Sequence, residues 1–281
     1  MTHPDLAEKV AIVTGGAGGI GQALVRAFVA NGIHVGASDV NRDALARLED
    51  ELGRERVLAV VADVSDPAAC AGTVEEVAGR FGRLDILVNN AAVGMSAIRR
   101  DHFTRSVRIE DISAEVWQRF LAVNLSGAFF MAQAAVPRFR AQRWGRIVNV
   151  TTSFFTMLRG GFAPYGPAKA GLEAWSASLA QELAATGVTV NVVVPGGPTD
   201  TPMVPQESGF DRRALIRPEQ MAPPILWLCS DAAKQVTGRR YVAAKWDPGI
   251  PAADAAAMAG APTGWPDLAQ SPVWPGGKPG G

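Results

Sequence analysis

Val10-Ala-Ile-Val-Thr-Gly-Gly-Ala-Gly-Gly-Ile-Gly21 is the stretch that decides the fold of this chain. Four apolar residues in a row fit a strand covered on both faces. The glycine-rich turn after them runs into Gln22-Ala-Leu-Val-Arg-Ala-Phe-Val-Ala30, whose apolar spacing is helical. Strand, glycine turn and helix in this order open a dinucleotide-binding unit. Glycine lets the backbone approach a pyrophosphate, and the helix N-terminus offers it free N–H groups and the positive end of a dipole. The same residues also suit a plain tight turn between strand and helix, so the rest of the chain has to decide.

The pattern continues downstream. Apolar runs at Val10–Val13, Ile33–Ala37, Val57–Val61, Ile86–Val88, Arg146–Val150, Val188–Val194 and Arg240–Ala243 alternate with helical stretches near 20–31, 41–52, 67–81, 113–141, 165–186 and 218–229. This alternation predicts an α/β fold, a parallel sheet with helices on both faces. Ser65-Asp66-Pro67 gives the helix at 67–81 a capping residue and a first-turn proline. At 281 residues and 48% hydrophobic content, one large domain can bury a substantial core. Composition shifts after Trp246, which divides the chain into a domain at 1–246 and a Pro-, Gly- and Ala-rich extension at 247–281. A disordered extension and one docked through Trp265 and Trp274, on a neighbouring subunit for example, are both open at this level.

Lysine plus arginine equals aspartate plus glutamate, 27 of each, so charge balance advertises neither a nucleic acid nor a membrane as partner. Met1-Thr-His-Pro-Asp-Leu-Ala-Glu8 is too polar for a signal peptide. No apolar stretch is expected to reach the ~20 residues a membrane helix needs. Cys70 and Cys229 are too few for a disulfide framework, and His3, His34 and His102 give a metal few ligands. A cytoplasmic protein without metal is the expectation.

Tyr165-Gly-Pro-Ala-Lys169 adds chemistry to this frame. Four residues apart on a helix, phenol and amine stack on one face. A free phenol titrates near pH ~10 and is a poor catalyst at neutrality, whereas a fixed ammonium beside it favours the phenolate. The pair and the glycine turn together resemble the short-chain dehydrogenase/reductase family over residues 8–245. The resemblance implies a Rossmann-type three-layer sandwich with a seven-stranded parallel sheet flanked by helices. The glycine run fits the single-domain members through Gly15, Gly19 and Gly21, and the larger epimerase-like members through Gly15, Gly18 and Gly21. The chain has little room for the epimerase-like substrate domain, so the single-domain branch is expected.

In that family the turn at Gly15, Gly19, Ile20 and Gly21 holds the cofactor pyrophosphate. Asp39 ends the second strand, where a carboxylate accepts hydrogen bonds from both adenosine ribose hydroxyls and repels a 2′-phosphate. No Arg or Lys lies in the glycine turn, and Arg42 is the nearest base after Asp39, so NAD is expected in preference to NADP. By the same resemblance Asp63 and Val64 hold the adenine, and Asn90, within Asn89-Asn-Ala-Ala92, stands beside the cofactor. Pro195 and Gly196 look like the segment that embraces the nicotinamide amide, with Thr199 or Thr201 supplying the contact. Lys169 binds the nicotinamide ribose and lowers the pKa of Tyr165, itself a cofactor neighbour.

The resemblance also makes Tyr165 the general acid–base and Asn124 the helix asparagine that holds a water in a proton relay. The fourth group is a hydroxyl in Asn149-Val-Thr-Thr-Ser153. Counting back thirteen residues from Tyr165 lands on Thr152, but Ser153 fits beside a substrate without threonine's extra methyl and is the one favoured. The implied chemistry is hydride transfer between nicotinamide C4 and a carbinol carbon of a small alcohol or ketone.

Around the substrate, 93–112 looks like an insertion of mixed charge, favoured as a solvated loop over an anion-attracting overhang. The segment 203–217 looks short for a lid, which suggests an open pocket. Phe154, Phe155, Met157 and Phe162 suit either an apolar pocket or the core. A homotetramer or homodimer, with the helices at 113–141 and 165–186 between subunits, follows from the family. The alternatives are an NADPH-linked 3-oxoacyl or ketone reductase and a cofactor-binding regulator without catalysis.

Overall fold

Each apolar run becomes a strand in the computed structural model, which describes residues 3–268. The strands are β1 (Val10–Thr14), β2 (His34–Asp39), β3 (Val57–Val61), β4 (Ile86–Asn89), β5 (Gly145–Val150), β6 (Val188–Val194), β7 (Arg239–Val242) and β8 (Gly260–Pro262). They form one sheet in the order β3-β2-β1-β4-β5-β6-β7-β8. The first seven run parallel; β8 pairs antiparallel with β7, opposing Tyr241 to Gly260 and Arg239 to Pro262. Sequence periodicity missed β8 because three residues ending in proline carry no alternation to detect.

The helices are α1 (Gly19–Ala30), α2 (Arg42–Leu52), α3 (Pro67–Phe81), α4 (Ala114–Leu121), α5 (Gly127–Gln142), α6 (Phe154–Leu158), α7 (Tyr165–Glu182), α8 (Ala222–Cys229) and α9 (Ala252–Ala259). Neighbouring strand residues point to opposite faces. Ala11, Val13, Ile86 and Val88 therefore join Phe28, Leu45, Ile225 and Ala255 in one core layer. Ile12, Leu87 and Ile147 join Val74, Met131, Phe139 and Leu179 in the other. Three layers result, with both faces of the sheet covered.

The caps follow from sequence. Asp66 accepts from the Ala68 N–H at the start of α3, and Asn41 accepts from the Ala44 N–H at the start of α2. Between α4 and α5 the helix continues through a π turn, Ala122–Ser126. The continuous run Ala114–Gln142 is long and apolar enough to cross a membrane by length and composition, contrary to the sequence expectation. Its apolar side, including Phe120, Val123, Met131 and Phe139, is buried within the fold.

Part of the extension is built into the domain. α9 packs into the core, β8 completes the sheet, and Trp265 lies against Phe154 of the same chain with ring centroids 5.5 Å apart. Trp274 lies outside the described residues.

Candidate active site

A cleft of about 780 Å³ opens at the carboxyl ends of the strands, where β1 has β2 on one side and β4 on the other. Strand order reverses there, and diverging loops leave a crevice. The glycine turn forms its floor. Gly15 has φ +66°, and a Cβ on Gly19 would stand 2.6 Å from the Thr201 methyl. A Cβ on Gly21 would overlap the Gly15 carbonyl. Gly18 has more room, its added Cβ lying 3.3 Å from that carbonyl, so the tight positions are those of the single-domain spacing. α1 begins at Gly19 with no side chain capping its first N–H groups. A bare helix N-terminus above a side-chain-free turn fits the two negative charges of a pyrophosphate.

At one end of the cleft, Asp39 Oδ2 accepts from the Ala17 N–H at 3.1 Å and Oδ1 from the Asn41 N–H at 3.0 Å. Both oxygens are held in place and keep lone pairs for a diol. Among the described residues the only Lys or Arg lining the cleft are Lys169 and Arg159, on α7 and just after α6. Ile20 lines it too. Asn90 donates to the carbonyls of Thr14 and Gly15 at 2.9 and 3.2 Å, tying the end of β4 to the turn.

Pro195, Gly196, Thr199 and Thr201 line the opposite wall. Thr199 donates its hydroxyl to the Gly197 carbonyl at 3.3 Å. Thr201 makes no side-chain hydrogen bond among the described residues, and its methyl packs on Gly19. This leaves the Thr201 hydroxyl available.

Tyr165 and Lys169 lie on one face of α7, as their spacing requires. Lys169 is 1% exposed and donates to the Val150 carbonyl at 2.8 Å. Burial pulls its amine down to about 8. Burial pushes the Tyr165 phenol up to about 12, against a smaller opposing pull from its hydrogen bond with Thr152. In the protein alone burial outweighs the Thr152 hydrogen bond, so the phenol is protonated at neutral pH.

Both Thr152 and Ser153 line the cleft, and it is Thr152 whose hydrogen bond acts on the phenol. Ser153 caps α6, accepting from the Thr156 N–H at 3.2 Å and bonding the Thr156 hydroxyl at 2.9 Å. The side chain of Asn124 is engaged with backbone. It is buried in the π turn, where its Oδ1 accepts from the Val93 N–H at 2.8 Å and its Nδ2 donates to the Val93 carbonyl at 3.0 Å. Both ends of the amide are occupied, so it positions the segment after β4. Asp63 and Val64 lie outside the cleft lining. The Asp63 carboxylate bonds Ser65 and Arg119, while Val64 is buried beneath Gly127.

Comparison with known proteins bears on the same site. The family described as short chain dehydrogenase matches residues 9–210. The chain belongs to the short-chain dehydrogenase/reductase family. It is 34% identical to the 3-oxoacyl-[acyl-carrier-protein] reductase FabG of Escherichia coli, covering 82% of this chain and 93% of that one. It is equally similar, with the same coverage, to the (2S)-[(R)-hydroxy(phenyl)methyl]succinyl-CoA dehydrogenase subunit BbsD of Thauera aromatica. A crystal structure of a 3-ketoacyl-(acyl-carrier-protein) reductase from Brucella melitensis complexed with NADH superposes with a TM-score of 0.73 at 28% identity. That match covers 83% of this chain and 95% of the other.

Behind the backbone that follows β5 lies a polar cluster that motif spacing did not reveal. Glu173, one turn after Lys169 and 0% exposed, accepts from Thr151 Oγ1 at 2.9 Å and Arg240 Nε at 2.8 Å. Arg240 also donates to the Thr152 carbonyl at 3.1 Å, and Thr263, just beyond β8, bonds Glu173 at 3.4 Å. The guanidinium lies 4.0 Å over the Phe154 ring. Four elements thus meet on the backbone that carries Thr152.

The mouth is roofed as well. The 93–112 segment touches the lid through Phe103–Phe210, with centroids 4.9 Å apart, and through the ion pair Arg100–Glu207 at 2.7 Å. A short lid therefore meets a long insertion, and the pocket is less open than lid length suggests. Most charges of the insertion pair locally, as Arg99–Asp101 and Arg108–Glu110 do.

Proposed function

We propose that this protein is an NAD(H)-dependent oxidoreductase that interconverts a secondary alcohol and its ketone, with Tyr165 as general acid–base. Asp39 carries the cofactor half of this reading. Its two oxygens face a diol site that no Arg or Lys lines, which suits an unphosphorylated ribose and disfavours a 2′-phosphate. Gly15, Gly19, Ile20 and Gly21 would hold the pyrophosphate, Asn90 and Lys169 the nicotinamide ribose side, and Pro195, Gly196 and Thr201 the carboxamide. The bound nicotinamide supplies the hydride acceptor or donor.

The residues of the chain handle the proton. Tyr165, kept neutral by burial, donates it to the carbonyl oxygen in reduction; in oxidation it must first ionise and then takes the alcohol proton. Thr152 holds the phenol and the substrate oxygen in line, and Lys169 anchors the α7 side of the site on Val150. The printed names of the Escherichia coli and Brucella melitensis relatives support a second reading, reduction of 3-oxoacyl thioesters. An NADPH-linked version of it meets the Asp39 carboxylate.

Calorimetric titration with NAD and NADP, on wild type and Asp39→Ala, tests the cofactor assignment. NAD binding that weakens at least tenfold in the variant is the expected outcome; tighter NADP binding by wild type would reverse it. Screening ketones for NADH oxidation then tests the reaction. A cytoplasmic homotetramer or homodimer completes the proposal, supported by the apolar side chains Trp117 and Phe129, 39% and 42% exposed on the outer side of the α4–α5 run.

A further inference from the structure

The substrate half of the cleft is lined by His102, Phe103, Phe155, Phe162 and Phe210. Four of these rings are contiguous: His102–Phe103 at 4.1 Å between centroids, His102–Phe162 at 5.9 Å, Phe103–Phe162 at 6.1 Å and Phe103–Phe210 at 4.9 Å. Such a wall favours a flat apolar body, through burial and edge-to-face contact. His102 donates from Nδ1 to the Arg99 carbonyl at 3.0 Å, and burial lowers its pKa, so it adds no positive charge.

One cation stands against this wall. The Arg159 guanidinium lies 4.6 Å from the Phe162 ring centroid and 5.7 Å from that of Phe155. Among the described residues it forms no ion pair, whereas Arg99, Arg100 and Arg108 of the neighbouring insertion are all paired. Lys169, the other cation of the cleft, donates to the Val150 carbonyl and is assigned above to the nicotinamide ribose. The single carboxylate lining the cleft, Asp39, belongs to the cofactor end. Nothing acidic in the substrate half competes for Arg159. A guanidinium lying on an aromatic face keeps its N–H edge free for a planar carboxylate.

Resting on the dehydrogenase reading above, we propose that the substrate is an aryl or similarly flat ketone, or its secondary alcohol, carrying a terminal carboxylate that pairs with Arg159. The keto group meets Tyr165 and Thr152, the flat body lies along Phe103 and Phe162, and the carboxylate reaches the mouth. The assignment makes Arg159 and Phe162 determinants of specificity.

The test uses phenyl ketones with a terminal carboxylate on linkers of increasing length, such as 4-oxo-4-phenylbutanoate, each beside its neutral primary amide. NADH oxidation is followed on wild type, Arg159→Met and Arg159→Lys. At the best linker length the acid should exceed its amide roughly tenfold in kcat/KM, as expected for a hydrogen bond to a charged group. That ratio should fall towards one in Arg159→Met and recover in Arg159→Lys. Equal rates for acid and amide in wild type, or a preference that survives Arg159→Met, would overturn the proposal while leaving the dehydrogenase reading intact. If no ketone is reduced, that reading fails. The same pairs titrated by tryptophan fluorescence still decide whether Arg159 selects the carboxylate.

Discussion

At the scale of single residues, the proposed function makes Thr152 a group that works on the substrate, whereas Ser153 shapes the backbone. Thr152→Val removes the hydroxyl beside Tyr165 and should lower kcat for ketone reduction by about 10²-fold or more. Ser153→Ala removes a helix cap and should cost about 1 kcal/mol of stability, with a much smaller effect on kcat. Steady-state rates beside thermal melts of both variants decide this; the reverse pattern would return the catalytic role to Ser153. The raised phenol pKa gives a pH dependence of definite sign. Neutral Tyr165 is the acid needed for reduction, so reduction should hold level through neutral pH and fall only as the phenol ionises. Oxidation needs the phenolate and should rise with pH over the same range. Paired pH–rate profiles check both. Tyr165, Lys169 and the three tight glycines were legible because their spacing lies within single elements. Spacing from Tyr165 also pointed to Thr152, but the choice between it and Ser153 was not legible, because the position of the α6 cap decides which of two adjacent hydroxyls turns inward. The Asn124 amide serves the Val93 backbone, a contact across 31 residues that no local pattern encodes.

At the scale of elements, β5, α7, β7 and the segment after β8 converge on the Glu173–Arg240 pair. Removing one partner strands the other charge in the core, which costs about 3–5 kcal/mol. Arg240→Met should therefore lower Tm markedly, and Arg240→Met with Glu173→Leu should regain much of that loss by removing both charges. Thr152 loses a backbone anchor in either variant, so kcat should stay depressed in the double variant even as Tm returns. Full recovery of kcat would show that the pair serves stability alone. The sequence hid this cluster well. Glu173 follows Lys169 by one helical turn, yet its partner Arg240 is 67 residues further on.

At the scale of the whole molecule, the parallel sheet and its helical layers were legible because seven apolar runs alternate with amphipathic helices. The eighth strand was not, since Gly260-Ala-Pro262 has the composition of a loop and becomes a strand only by lying along β7. Assembly belongs to this scale too. Phe129 and Trp175, with centroids 5.9 Å apart, give α5 and α7 an apolar outer patch. Phe129→Glu places a charge there and should convert a dimer or tetramer to smaller species by light scattering after size exclusion. An unchanged mass would exclude this face as the contact.

The antiparallel pairing of β8 on β7 also bears on how the protein behaves when concentrated or warmed. A bare β7 would offer an unpaired ladder on which strands of other molecules could stack. β8 covers it with three residues ending in proline, which has no N–H with which to recruit a further strand. Colloidal stability at that flank of the sheet therefore rests on a very small segment. If β8 detaches below the melting temperature of the core, the bare β7 edge becomes a template for association, which light scattering beside a thermal melt would register first.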